Sequence, residues 1–360
     1  MSYIVPIGPY HPALEEPVHA RLYTDGEKIS DAEVFIGYNH RGIEKLSQQK
    51  NFIQTIVLVE RVCGICSHSH AFGYAMALEA IAGTKVPKRG EYIRVITAEL
   101  ERLHSHYLWL GIALHIIGHD SLFMHTWDDR EVIMDILEEL SGNRVNYGMV
   151  TIGGARRDIS AETAANINKM LDKIEISNLK LRDILLDETT VALRTKDVGV
   201  LTTEDSNRIG AVGPHARASN VPVDVRKDAP YSSYEDFDFE KCVFPTCDVF
   251  SRVVVRVLEN IESIKIIRQA LNNLPKGPIN LGVRIPKIPA GEYMVRVEAP
   301  RGQLTYKVNT DGGESNSRLS IHVPTFKNAP TVPTMLRGNS VADAGLIIAS
   351  IDPCFSCMDR

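Results

Sequence analysis

Two cysteine pairs with the spacing C-x-x-C stand near opposite ends of this 360-residue sequence: Cys63 with Cys66, and Cys354 with Cys357. A compact zinc ribbon places its second pair roughly 15–20 residues after the first. Here almost the whole chain separates the two pairs, so a local zinc knuckle is excluded. If the pairs share one site, the fold must hold the C-terminal turn of the chain against the first pair.

Composition narrows the class of protein. Forty basic and forty-five acidic residues give a net charge of −5, so nothing suggests nucleic-acid binding. Six cysteines are too few for a disulfide framework in a chain of this length. The longest apolar stretch, residues 108–118, is too short to span a bilayer, and the N-terminus lacks the basic flank and apolar run of a signal peptide. We therefore expect a globular subunit that is cytosolic or is docked to a membrane component.

Hydrophobic periodicity predicts a mainly α fold with small β ribbons (α+β) in a single domain over residues 1–360. A hairpin is expected at Asp25-Gly26, and residues 188–240 are expected to be loop-rich. The predicted segments are an N-terminal β ribbon over 1–40, a helical body over 41–275, a β-rich segment over 276–330, and a C-terminal helix with the cysteine motif over 331–360.

Spacing alone leaves two interpretations of the cysteine pairs. Four converging thiolates would form a metal site, for which zinc is the commonest occupant. A redox dithiol of the thioredoxin type requires a βαβ context, which the residues around Cys63 do not supply. Cys242 and Cys247 match no ligand pattern, and we expect them to be buried thiols.

The residues around both pairs resemble the large subunit of [NiFe] hydrogenases. The first half reads R-x-C-G-x-C-x-x-x-H from Arg61 to His70, and the second reads D-P-C-x-x-C from Asp352 to Cys357. Further similarity lies in HRGIEKL (40–46), EAPRG (298–302) and HVPT (322–325). The opening PIGPYHPALEEP and the segment 130–159 are similar to the membrane-associated, energy-converting (Ech-type) branch, which shares ancestry with the 49 kDa-type quinone-site subunit of complex I. The resemblance covers most of the chain and implies that family's helical fold.

The resemblance implies a nickel–iron centre. Cys63, Cys66, Cys354 and Cys357 would bind nickel through soft thiolates. Cys66 and Cys357 would also bridge to an iron that carries CO and cyanide, while Cys354 would be the first acceptor of a proton. Because thiolates must be deprotonated to bind, the site should assemble only with metal present.

Four further positions of this sequence match site residues of the family. The resemblance implies cyanide contacts from Arg301 and from the hydroxyl of Thr325. It also implies a cation beside the metal from Arg61 and a donor to a bridging thiolate from His70. Each of these residues alone would be an ordinary surface, strand or core residue, and the cysteine motif is what points to function. His68 matches no motif and is left without a role.

An N-terminal glutamate relays protons from the nickel in this family. The ALEEP segment offers Glu15 and Glu16, and Glu16, directly before Pro17, matches the branch's L-x-E-P pattern. The Glu16 carboxylate would shuttle protons from Cys354.

The sequence departs from the family at Arg360. Many relatives have a histidine there that helps a glutamate to bind magnesium or iron, and Glu44 matches that glutamate. Arginine has no acceptor with which to ligate a cation, so a third ion near Glu44 is doubtful. We predict an ion pair between Glu44 and Arg360 instead.

The implied activity is 2 H⁺ + 2 e⁻ ⇌ H₂ in the large subunit of an energy-converting hydrogenase. Electrons would pass through a small subunit with a [4Fe–4S] cluster, and ferredoxin would be the donor. Further ferredoxin-like and integral membrane subunits would hold the chain at the cytoplasmic face of the cell membrane. Two alternatives are a metal-free, complex I-like quinone-site subunit, which would leave the four cysteines unexplained, and a zinc-stabilised structural subunit.

Overall fold

The computed structural model describes residues 2–11, 16–282 and 288–360. Its fold is mainly α with small antiparallel sheets, as the hydrophobic periodicity predicted. Glu15, one of the two glutamates considered for proton transfer, lies outside the described residues.

The N-terminal sheet has three antiparallel strands in the order β1-β2-β3. Asp25 of β2 pairs with Lys28 of β3, so the predicted hairpin forms with Gly26 in the left-handed region (φ 60). This is the conformation that a two-residue hairpin loop requires and that glycine adopts at little cost. The strands are β1 (Ser2–Ile7), β2 (His19–Asp25) and β3 (Lys28–Phe35).

Four long helices form the centre of the molecule. Helix α4 is largely buried, and it ends where Gly118 adopts the left-handed conformation (φ 95) of a helix C-terminus. Helix α6 begins after Ser160, whose side chain caps the helix by accepting a hydrogen bond from the Thr163 amide. The four helices are α4 (Lys88–Ile117), α5 (Asp120–Ser141), α6 (Ala161–Asp187) and α11 (Val249–Asn272).

Three helices precede this centre, and the first cysteine pair lies between the second and third of them. Asn51 caps α2 through the Gln54 amide, and Gln54 bonds back to the Asn51 amide, so the start of this helix is fixed on both sides. Cys66 is the N-cap residue of α3. The helices are α1 (Ile43–Ser47), α2 (Phe52–Glu60) and α3 (Ser67–Ile81).

Residues 188–240 contain four short helices, where we expected mainly loop. Each runs for only four to seven residues, too short for the hydrophobic period that reveals a helix in a sequence. They are α7 (Thr189–Thr195), α8 (Thr203–Ile209), α9 (Gly213–Arg217) and α10 (Val225–Asp228), with a 3₁₀ turn at Tyr234–Asp236.

Two further antiparallel sheets flank the helices. A short hairpin, β4 with β5, follows α5, and a three-stranded sheet in the order β6-β7-β8 packs on α3. Contact between this sheet and α3 is close at Gly73, where a Cβ would lie 3.1 Å from the Tyr306 ring. The strands are β4 (Val150–Thr151), β5 (Gly154–Ala155), β6 (Gly291–Ala299), β7 (Gly302–Thr310) and β8 (Asn316–His322).

Short helices complete the chain and return its C-terminal segment to the interior. Cys354 and Cys357 are buried in this last segment. Within the described residues, no helix has the length and apolar character needed to cross a membrane. The helices are α12 (Pro324–Asn328), α13 (Val332–Leu336), α14 (Ala344–Ser350) and α15 (Phe355–Asp359), with 3₁₀ turns at Ala329–Thr331 and Val341–Asp343.

Candidate metal centre

The four motif cysteines meet in one buried cluster. The Sγ atoms of Cys66 and Cys357 are 3.3 Å apart, and those of Cys63 and Cys354 are also 3.3 Å apart. Cys354 Sγ and Cys357 Sγ are separated by 3.0 Å. All four side chains are buried, so the two ends of the sequence form a single thiol-rich pocket.

The starts of α3 and α15 place these sulfurs close to one another. Cys66 caps α3 and Cys354 caps α15, while Cys63 lies in the turn before α3 and Cys357 lies one turn into α15. Arg41 joins the two segments, since its Nη2 donates to the carbonyls of Val62 (2.7 Å) and Ser356 (2.8 Å).

The residues before Arg41 hold α15 in place. Asp359 Oδ2 accepts hydrogen bonds from the amides of Gly37 and Asn39, each 2.9 Å long. The His40 ring nitrogen Nδ1 lies 2.7 Å from the Asp359 carbonyl oxygen. The short C-terminal helix is therefore held by the segment that follows β3.

One thiol of the cluster loses its proton most readily. Hydrogen bonds from Cys354, Cys357 and Cys66 hold the pKa of Cys63 well below its usual range, and Arg301 acts in the same direction. Burial raises the pKa of Cys357. The negative charge of the cluster is therefore expected mainly on Cys63. Thiols this close to one another in a low-dielectric interior do not all ionise, because like charges there repel strongly.

Arg301 lies beside the second cysteine pair. Its Nη2 is 2.7 Å from Asp352 Oδ1, its Nε donates to the Asp352 carbonyl over 2.9 Å, and its Nη1 is 3.4 Å from Ser105 Oγ. Burial works to lower the pKa of Arg301, but the charge of Asp352 and the nearby sulfurs of Cys354 and Cys63 hold that pKa well above its usual range. A permanent cation is therefore buried next to the thiols.

Thr325 contacts the backbone of the cysteine motif directly. Its Oγ1 accepts a hydrogen bond from the Cys354 amide over 3.1 Å, and its side chain is buried. The hydroxyl keeps its own hydrogen for donation to another acceptor.

His70 links the cluster to the C-terminal sheet. Its Nδ1 is 2.6 Å from the Tyr306 hydroxyl and its Nε2 is 3.4 Å from Cys357 Sγ. Burial lowers the pKa of His70 to about 4, so the ring is neutral and has one N–H donor. A ring that accepts from Tyr306 at Nδ1 donates from Nε2 to the sulfur.

Glu16 lies at the N-terminus of α15. Its Oε2 accepts hydrogen bonds from the amides of Phe355 and Ser356, the latter over 3.0 Å, and its Oε1 accepts from Ser356 Oγ over 2.9 Å. The carboxylate is therefore held directly beside the residue that follows Cys354.

Arg61 is not brought into the cluster by the contacts that the structure describes. Its side chain is 54% exposed, its Nη1 donates to the Val57 carbonyl over 3.0 Å, and Glu60 lies 3.6 Å away. The guanidinium instead lines a surface cavity of about 440 Å³ between α2 and residues 146–156.

The ion pair predicted between Glu44 and Arg360 is confirmed. Arg360 Nε donates to Glu44 Oε1 over 2.8 Å, and the same carboxylate oxygen accepts from the Ile321 amide over 2.8 Å. The Glu44 carboxylate is thus engaged by a cation from the chain itself.

The expectation that Cys242 and Cys247 are buried is wrong, because both side chains are only partly buried. They belong to the loop that precedes α11, and Cys247 adopts the left-handed conformation (φ 64). Connecting loops run over the surface, which outweighs the usual preference of cysteine for the core.

Three residues that contribute to the site were missed in the sequence. Arg41 lies within the HRGIEKL segment and Asp352 within the D-P-C motif, so both could have been singled out from those motifs. Tyr306 occupies an inward position of β7, where alternation predicts only burial. No local pattern indicates that its hydroxyl meets His70.

The donor set fits a soft transition metal. Two sulfurs that share one ion can be no more than about 4.6 Å apart, because a metal–sulfur bond is about 2.3 Å long. The Sγ contacts of 3.0–3.3 Å meet this condition, and the ligand atoms of Cys63, Cys66 and Cys357 lie within 4.8 Å of one another. Thiolate ligands favour nickel, iron–sulfur species, zinc or copper(I) over magnesium or calcium.

Fold and site together define a mainly α subunit with a buried cluster of four cysteine side chains, and two family descriptions match it. "Respiratory-chain NADH dehydrogenase, 49 Kd subunit" matches residues 117–285 and 281–360, and "Nickel-dependent hydrogenase" matches residues 41–117. The chain belongs to the family of [NiFe] hydrogenase large subunits, in the energy-converting branch that is related to the complex I 49 kDa subunit.

Similar proteins cover the full length of the chain. It is 44% identical to the carbon monoxide-induced hydrogenase of Rhodospirillum rubrum over 100% of this chain and 99% of that protein. It is 41% identical to the membrane-bound hydrogenase subunit alpha of Pyrococcus furiosus (99% and 87%) and 36% identical to an NADH-quinone oxidoreductase subunit of Desulfotalea psychrophila (100% and 97%). A chain of the membrane-bound sulfane sulfur reductase, an archaeal respiratory membrane complex, is similar with a TM-score of 0.94 and 29% identity over 100% of this chain and 98% of that one.

Proposed function

We propose that this chain is the catalytic large subunit of a membrane-associated, energy-converting [NiFe] hydrogenase that catalyses 2 H⁺ + 2 e⁻ ⇌ H₂. The observation that carries the proposal is the buried meeting of four cysteine sulfurs from opposite ends of the sequence. Identities of 44% and 41% to two hydrogenases over nearly the whole chain support it.

Four thiolates would hold the metals. Cys63, Cys66, Cys354 and Cys357 would bind nickel, and Cys66 with Cys357 would also bind an iron that carries CO and cyanide. The contact between these last two sulfurs, 3.3 Å, supports a shared role. Heterolytic cleavage and formation of H₂ is the chemistry that such a centre supplies when bound.

Arg301 and Thr325 would hold the cyanide ligands. A buried anion requires donors, and both side chains are buried beside the second cysteine pair. Arg301 keeps its charge through its pair with Asp352, and the Thr325 hydroxyl accepts from Cys354 while its own hydrogen stays available. His70 would donate to Cys357. Arg61 would contribute positive charge at the surface cavity that it lines.

Glu16 would move protons to and from Cys354. Its carboxylate accepts hydrogen bonds from the amides of the two residues after Cys354, so it is held beside the backbone of the Cys354 segment. A carboxylate in such a position can take a proton from a thiol and pass it outward.

Electrons would leave through partner subunits. Among the described residues, the only cysteine, histidine and carboxylate group that is close enough to hold an ion is the one containing Cys63, Cys66 and Cys357, so this part of the chain offers no separate cluster site. A small subunit with a [4Fe–4S] cluster would accept the electrons, with further ferredoxin-like and integral membrane subunits and ferredoxin as the soluble donor. The chain would lie at the cytoplasmic face of the membrane. A third ion at Glu44 is disfavoured because Arg360 occupies that carboxylate.

A second candidate is a metal-free subunit with a quinone site. It is favoured by the 49 Kd description, which matches residues 117–360, and by the 36% identity to an NADH-quinone oxidoreductase subunit. A zinc-stabilised structural subunit would also use four thiolates.

Metal analysis of the purified native complex, combined with its infrared spectrum, distinguishes these functions. The hydrogenase predicts one nickel per copy of this chain, with iron in excess because the partner clusters also contain it. It also predicts bands of CO and cyanide between roughly 1,900 and 2,100 cm⁻¹, where diatomic ligands of a tuned metal absorb. Stoichiometric zinc without nickel or these bands would overturn the proposal in favour of the structural subunit, and the absence of nickel, zinc and these bands would favour the quinone-site subunit.

A further inference from the structure

Arg301 lies in a two-residue turn between β6 and β7. The position of this turn depends on those two strands. β6 ends at Ala299 and β7 begins at Gly302, so Pro300 and Arg301 alone connect them. A turn this short has little freedom of its own, and the backbone around Ala299 decides where the Arg301 guanidinium lies.

Arg102, on α4, donates hydrogen bonds to that backbone. Its Nη1 donates to the Ala299 carbonyl over 3.1 Å and its Nη2 to the Glu298 carbonyl over 2.7 Å. Its Nε donates to Glu99 Oε2 over 3.1 Å, which fixes the orientation of the guanidinium. The side chain is fully buried, so no water replaces these bonds if they are lost.

Two other groups hold Glu298 in the same position. The Glu298 amide donates to the Tyr231 hydroxyl over 3.0 Å, and its Oε1 accepts from Arg217 Nη1 over 2.9 Å. Gly302 packs against Gly213 so closely that a Cβ on Gly302 would lie 2.8 Å from the Gly213 Cα. The turn is therefore fixed on several sides by buried and partly buried groups outside the metal cluster.

We propose that Arg102 is a positioning residue for Arg301: its two hydrogen bonds to the end of β6 set the place of the Arg301 guanidinium beside the Cys354 segment. Lysine cannot replace it, because one ammonium lacks the planar fork that reaches two carbonyls and a carboxylate at once. The expected effect on cyanide rests on the proposed function, whereas the effect on the backbone does not.

The chain offers a matched control on the same helix. Arg94 is equally buried, pairs with Glu79 through two bonds of 3.0 and 2.6 Å, and donates to the carbonyls of Gly154 (3.0 Å) and Thr151 (2.7 Å). Those carbonyls belong to the β4–β5 hairpin. Arg94→Lys therefore removes the same kinds of contact as Arg102→Lys, at a different piece of backbone.

Hydrogen–deuterium exchange of the intact complex tests the positioning without reference to metal. Arg102→Lys should raise amide exchange in peptides that cover 298–303 by about tenfold, which corresponds to about 1.4 kcal/mol of local opening free energy. Arg94→Lys should raise it around 151–155 instead. Unchanged exchange at 298–303 in Arg102→Lys, or an equal rise there in both variants, would overturn the inference.

Infrared spectra of the same complexes test the consequence for the site. Arg102→Lys should shift or broaden the cyanide bands by more than their line width, while Arg94→Lys should leave them in place. Bands that stay unchanged in Arg102→Lys contradict the positioning role. If the wild-type complex itself shows no cyanide bands, the proposed function fails, and the exchange experiment still decides the positioning role.

Tyr231→Phe provides a milder variant in case Arg102→Lys does not fold. It removes only the acceptor of the Glu298 amide and should raise exchange at 298–303 in the same direction by a smaller factor. Exchange at wild-type rates in Tyr231→Phe, with Arg102→Lys unfolded, would count against the inference.

Discussion

Thr325 Oγ1 accepts a hydrogen bond of 3.1 Å from the backbone amide of Cys354. This bond joins the start of α12 to the second cysteine pair, although 28 residues of chain lie between the two. Both groups are buried, so no water replaces the hydroxyl as acceptor for the amide when the hydroxyl is removed.

Thr325→Val is expected to destabilise the protein by about 1–3 kcal/mol, because it keeps the shape of the side chain but leaves the Cys354 amide without an acceptor. Thr325→Ser retains the hydroxyl and should cost less than about 1.5 kcal/mol, the loss of one methyl group. Urea unfolding of the two variants and the wild type measures both values. Equal stability of Thr325→Val and wild type would show that the bond contributes nothing.

Replacement of any one motif cysteine by serine should abolish nickel incorporation. A serine hydroxyl is a harder ligand that stays protonated at neutral pH, so it does not substitute for a thiolate. Cys242→Ser and Cys247→Ser are matched controls, since these thiols lie in a partly exposed loop. Nickel per copy of this chain is measured by mass spectrometry on the purified complex. Full nickel content in Cys66→Ser or Cys357→Ser, or its loss in Cys242→Ser, would contradict the ligand assignment.

Glu16→Gln should abolish H/D exchange catalysed by the enzyme while nickel stays bound. The amide keeps an acceptor for the start of α15, so the fold is retained, but it cannot carry a proton. Glu33→Gln serves as the control, because Glu33 is an exposed carboxylate of β3 that contacts Arg21 and Tyr23. Exchange at the wild-type rate in Glu16→Gln would exclude this carboxylate from proton transfer.

Much of the fold, and the meeting of the four motif cysteines, could be predicted because the relevant signals are local or form fixed motifs. The apolar residues at helical spacing in α4 and the serine before α6 are local signals. Each cysteine pair is recognised by its C-x-x-C spacing. Arg41 and Arg102 could not be assigned roles, because each acts by donating to main-chain carbonyls far away in the sequence. Carbonyl acceptors exist at every residue, so nothing in the sequence marks which ones an arginine will reach.

Magnesium should not stabilise the wild-type protein, because the Arg360 guanidinium neutralises the Glu44 carboxylate. Arg360→His removes this cation and offers a ring nitrogen beside Glu44, so this variant should gain a magnesium-dependent rise in melting temperature. Arg360→Ala controls for the simple loss of the partly exposed ion pair, which should cost no more than about 1 kcal/mol. A magnesium-dependent rise in the wild type would show that the carboxylate binds a cation despite Arg360.

Acid should destabilise the protein through buried neutral histidines. Burial lowers the pKa of His104 to about 3, with Arg130 acting in the same direction, and lowers that of His106 to about 4 despite its bond to Glu259. In the unfolded chain, a histidine has a pKa of about 6.5. Between that value and the folded pKa, the unfolded state binds more protons, so the free energy of unfolding falls as the pH falls.

Each of these two histidines should contribute up to about 1.4 kcal/mol per pH unit to this slope, and the contribution of His106 should cease below about pH 4. Urea unfolding of the purified chain at a series of pH values between about 7.5 and 4.5 measures the slope. His106→Gln keeps a donor for Glu259 but does not titrate, so it should make the slope shallower by the contribution of one proton. The buried ring would have to be charged in the folded state if the slope of His106→Gln equalled that of the wild type.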